Sequence, residues 1–335
     1  MEQTSRRWRW GVNRWVVLAL IILSVITSSI IAPVLPHIQL PAENISGPLF
    51  DLPVFGEFYL TNTLLATLMA DMLLIILAFA VNRAIKRGDL VLTGIVGAVE
   101  AILEALYSLA ESTAGKWAKS IFPWMATIVM LVLVVNWMEL IPGVDSIGLL
   151  HHSEDGFPVQ EIGKLGDLSI TSIVKEDAEH PLDAEHELFA LVPFVRVAST
   201  DLNFTISLAL ITMVMVQVFG VRALGAAYFT KFFNFKTLFS KPMFGVLDLG
   251  VGLLELVSEI SKVLSFSFRL FGNIFAGSVL LFVIGSLVPV LVQTAILMLE
   301  FFVGLIQAIV FGMLAMTFMA QATVGHDIAD EEGAH

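Results

Sequence analysis

Long apolar runs separated by short polar segments organise this chain. The apolar runs cover residues 15–34, 59–81, 121–141, 204–221, 244–287 and 290–324. About 20 predominantly apolar residues span a bilayer as a helix, so each run is long enough to cross. The second run contains one acid, Asp71. The last two are longer than a crossing needs: at about 1.5 Å per residue they reach roughly 65 Å and 50 Å, against about 30 Å of hydrocarbon. Either they project from the membrane or they lie strongly tilted. Their short connection, Ser286-Leu287-Val288-Pro289, predicts a hairpin. Segment 90–119 differs: Glu100, Glu104 and Glu111 recur among apolar residues at helical spacing, which predicts an amphipathic helix on the membrane surface.

The fold class expected is therefore an all-α polytopic membrane protein, with about six transmembrane helices and a long, strongly tilted C-terminal helical hairpin. The composition agrees: 57% of the 335 residues are hydrophobic and only 14% are charged. Two domains are expected, an N-terminal anchor helix with an external segment over 1–58 and a main membrane domain over 59–335. The first run lacks a clean small-x-small cleavage site and reads as an uncleaved anchor.

Charge sets the orientation. Basic residues gather at Arg6, Arg7, Arg9 and Arg14, at Arg83, Lys86 and Arg87, and at Arg222, Lys231, Lys236 and Lys241, while segment 145–197 holds eleven acids and three basic residues. Lys and Arg mark the cytoplasmic side. Segments 37–58 and 145–197 are then external, six crossings fit, and both termini are cytoplasmic. No basic patch lies on a soluble surface, so nucleic acid is not an expected partner. Cysteine is absent, which excludes disulfides and thiolate metal sites. His151-His152 and nearby acids have no tight ligand spacing and read as a solvated loop. No cofactor is expected.

Ionisable groups inside a bilayer cost about 2.5–3.5 kcal/mol on the insertion scale and are usually functional. The fifth run carries Glu255, Glu259, Lys262, Arg269 and Asn273, at steps that place all five on one helix face. Arg269 is the sole charged residue from 263 to 288, about 21 Å along the helix from Glu255. Ser258 stands beside the two acids. The sixth run carries Glu300 and, seven residues on, Gln307. Toward the outer surface lie Asn136 and Glu139 at the end of the third run, and Asp201 and Asn203 at the start of the fourth. Plainer roles exist for each set: an internal Glu300–Arg269 pair, snorkelling interfacial glutamates, or helix caps. Asp71 has no evident partner in the pattern.

Residues 265–277, Ser-Phe-Ser-Phe-Arg-Leu-Phe-Gly-Asn-Ile-Phe-Ala-Gly, resemble the signature helix of the F-type ATP synthase subunit a family. Ser261-Lys262 precedes it as in that family. Gln307-Ala308, Asn136-x-x-Glu139-Leu-Ile-Pro142, Thr200-Asp201-x-Asn203-x-Thr205 and Thr61-Asn62-Thr63 also resemble family motifs, in the family's order. Two positions depart. An acid common five residues after the motif asparagine is Ser278 here, and a position often histidine or acid in the last helix is Glu300. The first run and the length of 145–197 have no counterpart in some members.

The resemblance implies a proton-translocating stator subunit with two aqueous half-channels facing a rotating ring of c subunits. Glu139, Asp201, Asn203, Asn136, Glu300, Gln307 and Asn273 would line entry, and Glu255, Ser258 and Glu259 exit. Arg269 would face the bare ring carboxylate. It further implies a subunit b peripheral stalk and the rest of the synthase as partners, a bacterial plasma membrane, and catalysis of ATP chemistry in other subunits; the chain has no Gly-rich phosphate loop. The rival expectations are a self-contained secondary transporter, for which no internal repeat or broken helix speaks, and a purely structural anchor.

Overall fold

The computed structural model describes residues 10–30, 41–53, 56–87, 93–165, 168–173, 188–232, 242–288 and 291–324. Arg6, Arg7, Arg9, Lys236, Lys241, His180, His186, Pro289 and the C-terminal tail lie outside them. Among the described residues seven α-helices carry the fold: α1 (Trp10–Ile30), α2 (Asn62–Lys86), α3 (Gly94–Ala114), α4 (Ala118–Met138), α5 (Leu202–Leu224), α6 (Pro242–Leu287) and α7 (Leu291–Ala322). Among the described residues five stretches are long and apolar enough to cross a membrane: α2, α3 continued through α4, α5 with its 3-10 extension to Lys231, and the bulk of α6 and of α7. Within α1, Arg14–Thr27 is a shorter apolar stretch. The chain falls into two compact units, one of residues 1–62, 139–196 and 275–302, the other of 63–138, 197–274 and 303–335.

The first unit contains α1, the strands and the connecting ends of α6 and α7. The segments between the long helices form short antiparallel pairs: β1 (Phe50–Leu52) with β2 (Gly56–Phe58), β3 (Gly148–Phe157) with β6 (Phe189–Pro193), and β4 (Val159–Leu165) with β5 (Leu168–Ile173). His151 and His152 thus lie on β3, opposite Ala190 and Phe189, rather than in a loop. Gly148 is required there: any Cβ would run into the backbone of Val192 and Pro193. The hairpin is real at its tip, where Gly285 of α6 faces the Gln293 side chain of α7.

The second unit holds the helical core. α3 ends at Gly115, whose φ of 50° suits a residue without Cβ. A 3-10 turn, Gly115–Trp117, leads into α4, and Tyr107 meets Phe122 edge-to-face at 5.1 Å. Two rings so far apart in sequence touch only if α3 folds back on α4. Val99, Leu106, Ala110 and Ala114 of α3 are buried while Glu100, Glu104 and Glu111 are exposed, the amphipathic division expected. α4 then packs on α7 through small residues: a methyl group at Gly312 would overlap Val129, and Gly304 lies against Asn136 and Trp137. Phe266 of α6 stacks edge-to-face on Phe311 of α7 at 4.9 Å, and the Ser267 hydroxyl donates to the Thr205 carbonyl of α5.

α6 is unbroken over 46 residues and α7 over 32. Proline occurs in α6 only at its first position, Pro242, where the missing N–H is harmless. Both helices exceed the length of a perpendicular crossing.

Candidate proton-pathway site

In the second unit, Arg269 is exposed and its guanidinium donates only to Ser265 Oγ one turn back, at 3.3 Å. Among the described residues no carboxylate lies within ion-pair distance of it. Along the stripe of α6 that holds Arg269, Ser261, Ser265 and Ala276 are small and exposed, with exposed Leu264 and Phe268 flanking it. Small residues let another helix approach a backbone closely.

The shared face expected for Glu255, Glu259, Lys262, Arg269 and Asn273 straddles a boundary. Its Glu259 edge turns inward and its Arg269 edge turns outward. Glu259 is buried and held from three sides: Lys231 at 3.2 Å, Lys262 at 3.1 Å and the Gln217 amide at 3.3 Å. Gln217 in turn accepts from the Tyr228 hydroxyl at 2.7 Å. The Lys231 ammonium also lies over the Tyr228 ring, 4.3 Å from its centroid, a favourable cation–π position. Glu255 is half-exposed and 3.7 Å from Lys231. Tyr228, Lys231, Glu255, Glu259 and Lys262 line a cavity of about 330 Å³ with Phe318 and Gln321. Ser258 does not line it; it points to the exposed side with Arg269. Sequence spacing joins Ser258 to the two glutamates and misses Lys231 and Tyr228, which line the cavity from the 3-10 extension of α5, and Gln217, which reaches Glu259 from α5.

At the other end of the second unit, Asn136 is buried. Its amide donates to the Gly304 carbonyl at 3.3 Å, and its carbonyl accepts from Ser199 Oγ at 2.6 Å. Asp201 caps α5: one carboxylate oxygen accepts from the Asn203 N–H at 2.9 Å and the other from Thr63 Oγ1 at 2.9 Å. It is a cap, as the plainer expectation had it, but a buried one. The Asn203 side chain is exposed. Asn273 Nδ2 donates to Gln307 Oε1 at 2.7 Å, tying α6 to α7. The Gln307 amide nitrogen is buried with no partner among the described residues, so one strong donor is left for another group.

In the first unit, Glu139 and Glu300 are both buried. Glu139 is hydrogen-bonded to Ser278, and its Oε1 has no partner among the described residues. The Glu300 carboxyl occupies the space where a side chain on residue 277 would be, and any Cβ there would overlap it. The two positions that depart from the family pattern, Ser278 and Glu300, therefore both serve a carboxyl cluster. Gly277, one residue before Ser278, is the part that spacing alone did not single out.

The family model described as ATP synthase A chain matches residues 64–320. The chain belongs to that family. An ATP synthase subunit a of Moorella thermoacetica is 24% identical over 254 residues, 76% of this chain and 88% of that protein. One of Gloeobacter violaceus is 28% identical over 286 residues, 85% of this chain and 91% of that protein. One of Campylobacter jejuni is 36% identical over 138 residues, 41% of this chain and 58% of that protein. The chain is thus an integral, multi-pass membrane protein of the F-type ATP synthase complex, its proton-translocating stator component. The signature helix is α6, and its arginine is the exposed Arg269.

Proposed function

We propose that this subunit passes protons between two aqueous half-channels and a rotating ring of c subunits, with Arg269 facing the ring. The observation that carries this is Arg269 itself: a guanidinium in a membrane-spanning helix, exposed, unpaired among the described residues, and set on a stripe of small side chains flanked by Leu264 and Phe268. Such a charge in lipid is costly. A ring carboxylate brought opposite it removes that cost. An opposite charge within a few Å lowers a carboxyl pKa, so Arg269 favours deprotonation of the ring site. Arginine is not deprotonated in proteins, so it also blocks direct passage between half-channels.

Entry uses Glu139 and Glu300 in the first unit, and Asn136, Asp201, Asn203, Asn273 and Gln307 in the second. Glu139 and Glu300 can exchange protons, while the amides and the capped Asp201 fix helix ends and supply donors. Exit uses the cavity at Glu255 and Glu259, with Glu255 the more exposed of the two carboxylates; Ser258 belongs to the ring-facing side. A neutral ring carboxyl can travel through lipid where a charged one cannot.

The domain of residues 59–335 performs this work in a bacterial plasma membrane, with both termini cytoplasmic, against a peripheral stalk that includes subunit b. The test is ATP-driven proton pumping and ATP synthesis in vesicles with Arg269→Ala. Loss of both activities in an assembled complex supports the proposal. Coupled activity near wild type overturns it.

A further inference from the structure

The membrane-spanning helix α2 carries an acid that neither the proton path nor the fold uses. Asp71 sits near the middle of Asn62–Lys86, about 14 Å along the axis from the first residue of α2 and about 22 Å from the last. It is exposed and makes no hydrogen bond or ion pair with any described residue. The buried side of α2 is a different stripe, with Ala66 and Ala70 fully packed. Leu68, Met72, Leu73, Ile75, Ile76 and Phe79 are exposed around the acid, so the surface it stands on is otherwise fit for lipid. An aspartate at this depth has no route to water: its side chain is too short to snorkel across two or more helical turns.

The sequence around it has the pattern of a helix contact. Ala78 and Asn82 follow Asp71 by seven and eleven residues, on the same exposed face. Membrane helix interfaces are enriched in small and polar residues, because backbones then approach closely and polar groups find partners. The lone negative charge specifies the partner's chemistry further. Only a cation at the same depth both compensates the carboxylate and gains from doing so.

We propose that the Asp71 face of α2 docks a membrane-spanning helix of another subunit of the complex, and that this helix presents a lysine or arginine to Asp71. The contact is structural and independent of the proton path; it rests only on α2 lying in the membrane.

The absence of cysteine in the chain makes the test direct. Ala78→Cys places one unique thiol on this face and leaves Asp71 intact. A short thiol-linked photoactivatable cross-linker is attached to it in the purified intact complex. The expected product joins residue 78 to a membrane segment of another subunit, with a lysine or arginine within about two turns of the cross-link. Asp71→Leu and Asp71→Lys should then lower retention of that subunit under detergent challenge by about three- to tenfold, the range of interhelical polar contacts in membranes, with Asp71→Asn less affected. The same cross-link should form in an Arg269→Ala complex, which separates this inference from the proton-path proposal. Adducts with lipid alone, a product with a second copy of this chain, a partner segment without a basic residue, or wild-type retention in Asp71→Leu would each overturn it.

Discussion

The carboxyl group of Glu300 fills the place where residue 277 would carry a side chain, and glycine at 277 is what leaves it room. Gly277→Ala should push Glu300 out of its position. Overpacking of this kind costs about 1–3 kcal/mol, too little to prevent assembly. Coupled proton pumping should fall several-fold while subunit content is unchanged. Glu300→Asp, whose side chain is one methylene shorter, should restore part of the loss in the double variant. Full activity in Gly277→Ala would show that Glu300 does not need this seat.

The buried amide of Asn136 joins α4 to the Gly304 carbonyl of α7 and to the Ser199 hydroxyl. Asn136→Leu removes both bonds and leaves the Ser199 hydroxyl buried without this acceptor, while the Gly304 carbonyl keeps its helical bond. Each unsatisfied buried group costs about 1–3 kcal/mol, so the thermal stability of the detergent-solubilised complex should drop. Ser199→Ala removes one partner only and should cost less. Equal stability of all three proteins, by unfolding monitored through tryptophan fluorescence, would contradict the network.

Much of this was legible before any coordinate. Apolar runs of bilayer length and the helical spacing of Glu100, Glu104 and Glu111 are local patterns, and α2 to α7 follow them. What local pattern cannot show is which neighbour a residue meets. Thr63 and Asp201 are 138 positions apart and hydrogen-bonded; nothing in either segment names the other. Spacing put Glu259 and Arg269 on one face, yet the edge of that face decides their fates, since one is buried and the other exposed. In the sequence Lys231 marks topology alone, and only the fold of α5 against α6 brings it to Glu259. The acidic segment around β3–β6 carries its strands in short, interrupted alternation, too weak a period to stand out beside long helices.

Glu255 and Glu259 share a cavity but not a role. Glu259 is held by Lys231 and Lys262, so Glu259→Gln takes the anion from Lys262 and leaves Lys231 only its longer contact to Glu255. Breaking such a buried pair costs on the order of 3 kcal/mol. Lower thermal stability and lower yield of the complex are expected. Glu255 is half-exposed with a longer contact to Lys231. Glu255→Gln should leave stability near wild type and slow coupled proton transport. A stability loss in Glu255→Gln equal to that in Glu259→Gln would put both in the scaffold.

Asp145 lies just beyond α4, before β3, outside the membrane-spanning helices. Burial pushes its carboxyl up from 3.8 to about 6, with the Arg196 guanidinium opposing the rise. The folded state therefore binds this proton more tightly than the unfolded segment does. Stability falls with pH wherever the folded state holds the extra proton, here between about 4 and about 6, and is level above that. Acidification through this window should accordingly strengthen the local fold around Asp145. Hydrogen exchange of the β3 and β6 amides, corrected for intrinsic rate, should show protection declining from pH 4 to pH 6. Asp145→Asn cannot ionise and should flatten that decline. Removing the guanidinium by Arg196→Ala should move the midpoint upward, because the opposing charge is gone. A decline that survives unchanged in Asp145→Asn would assign the titration to another group.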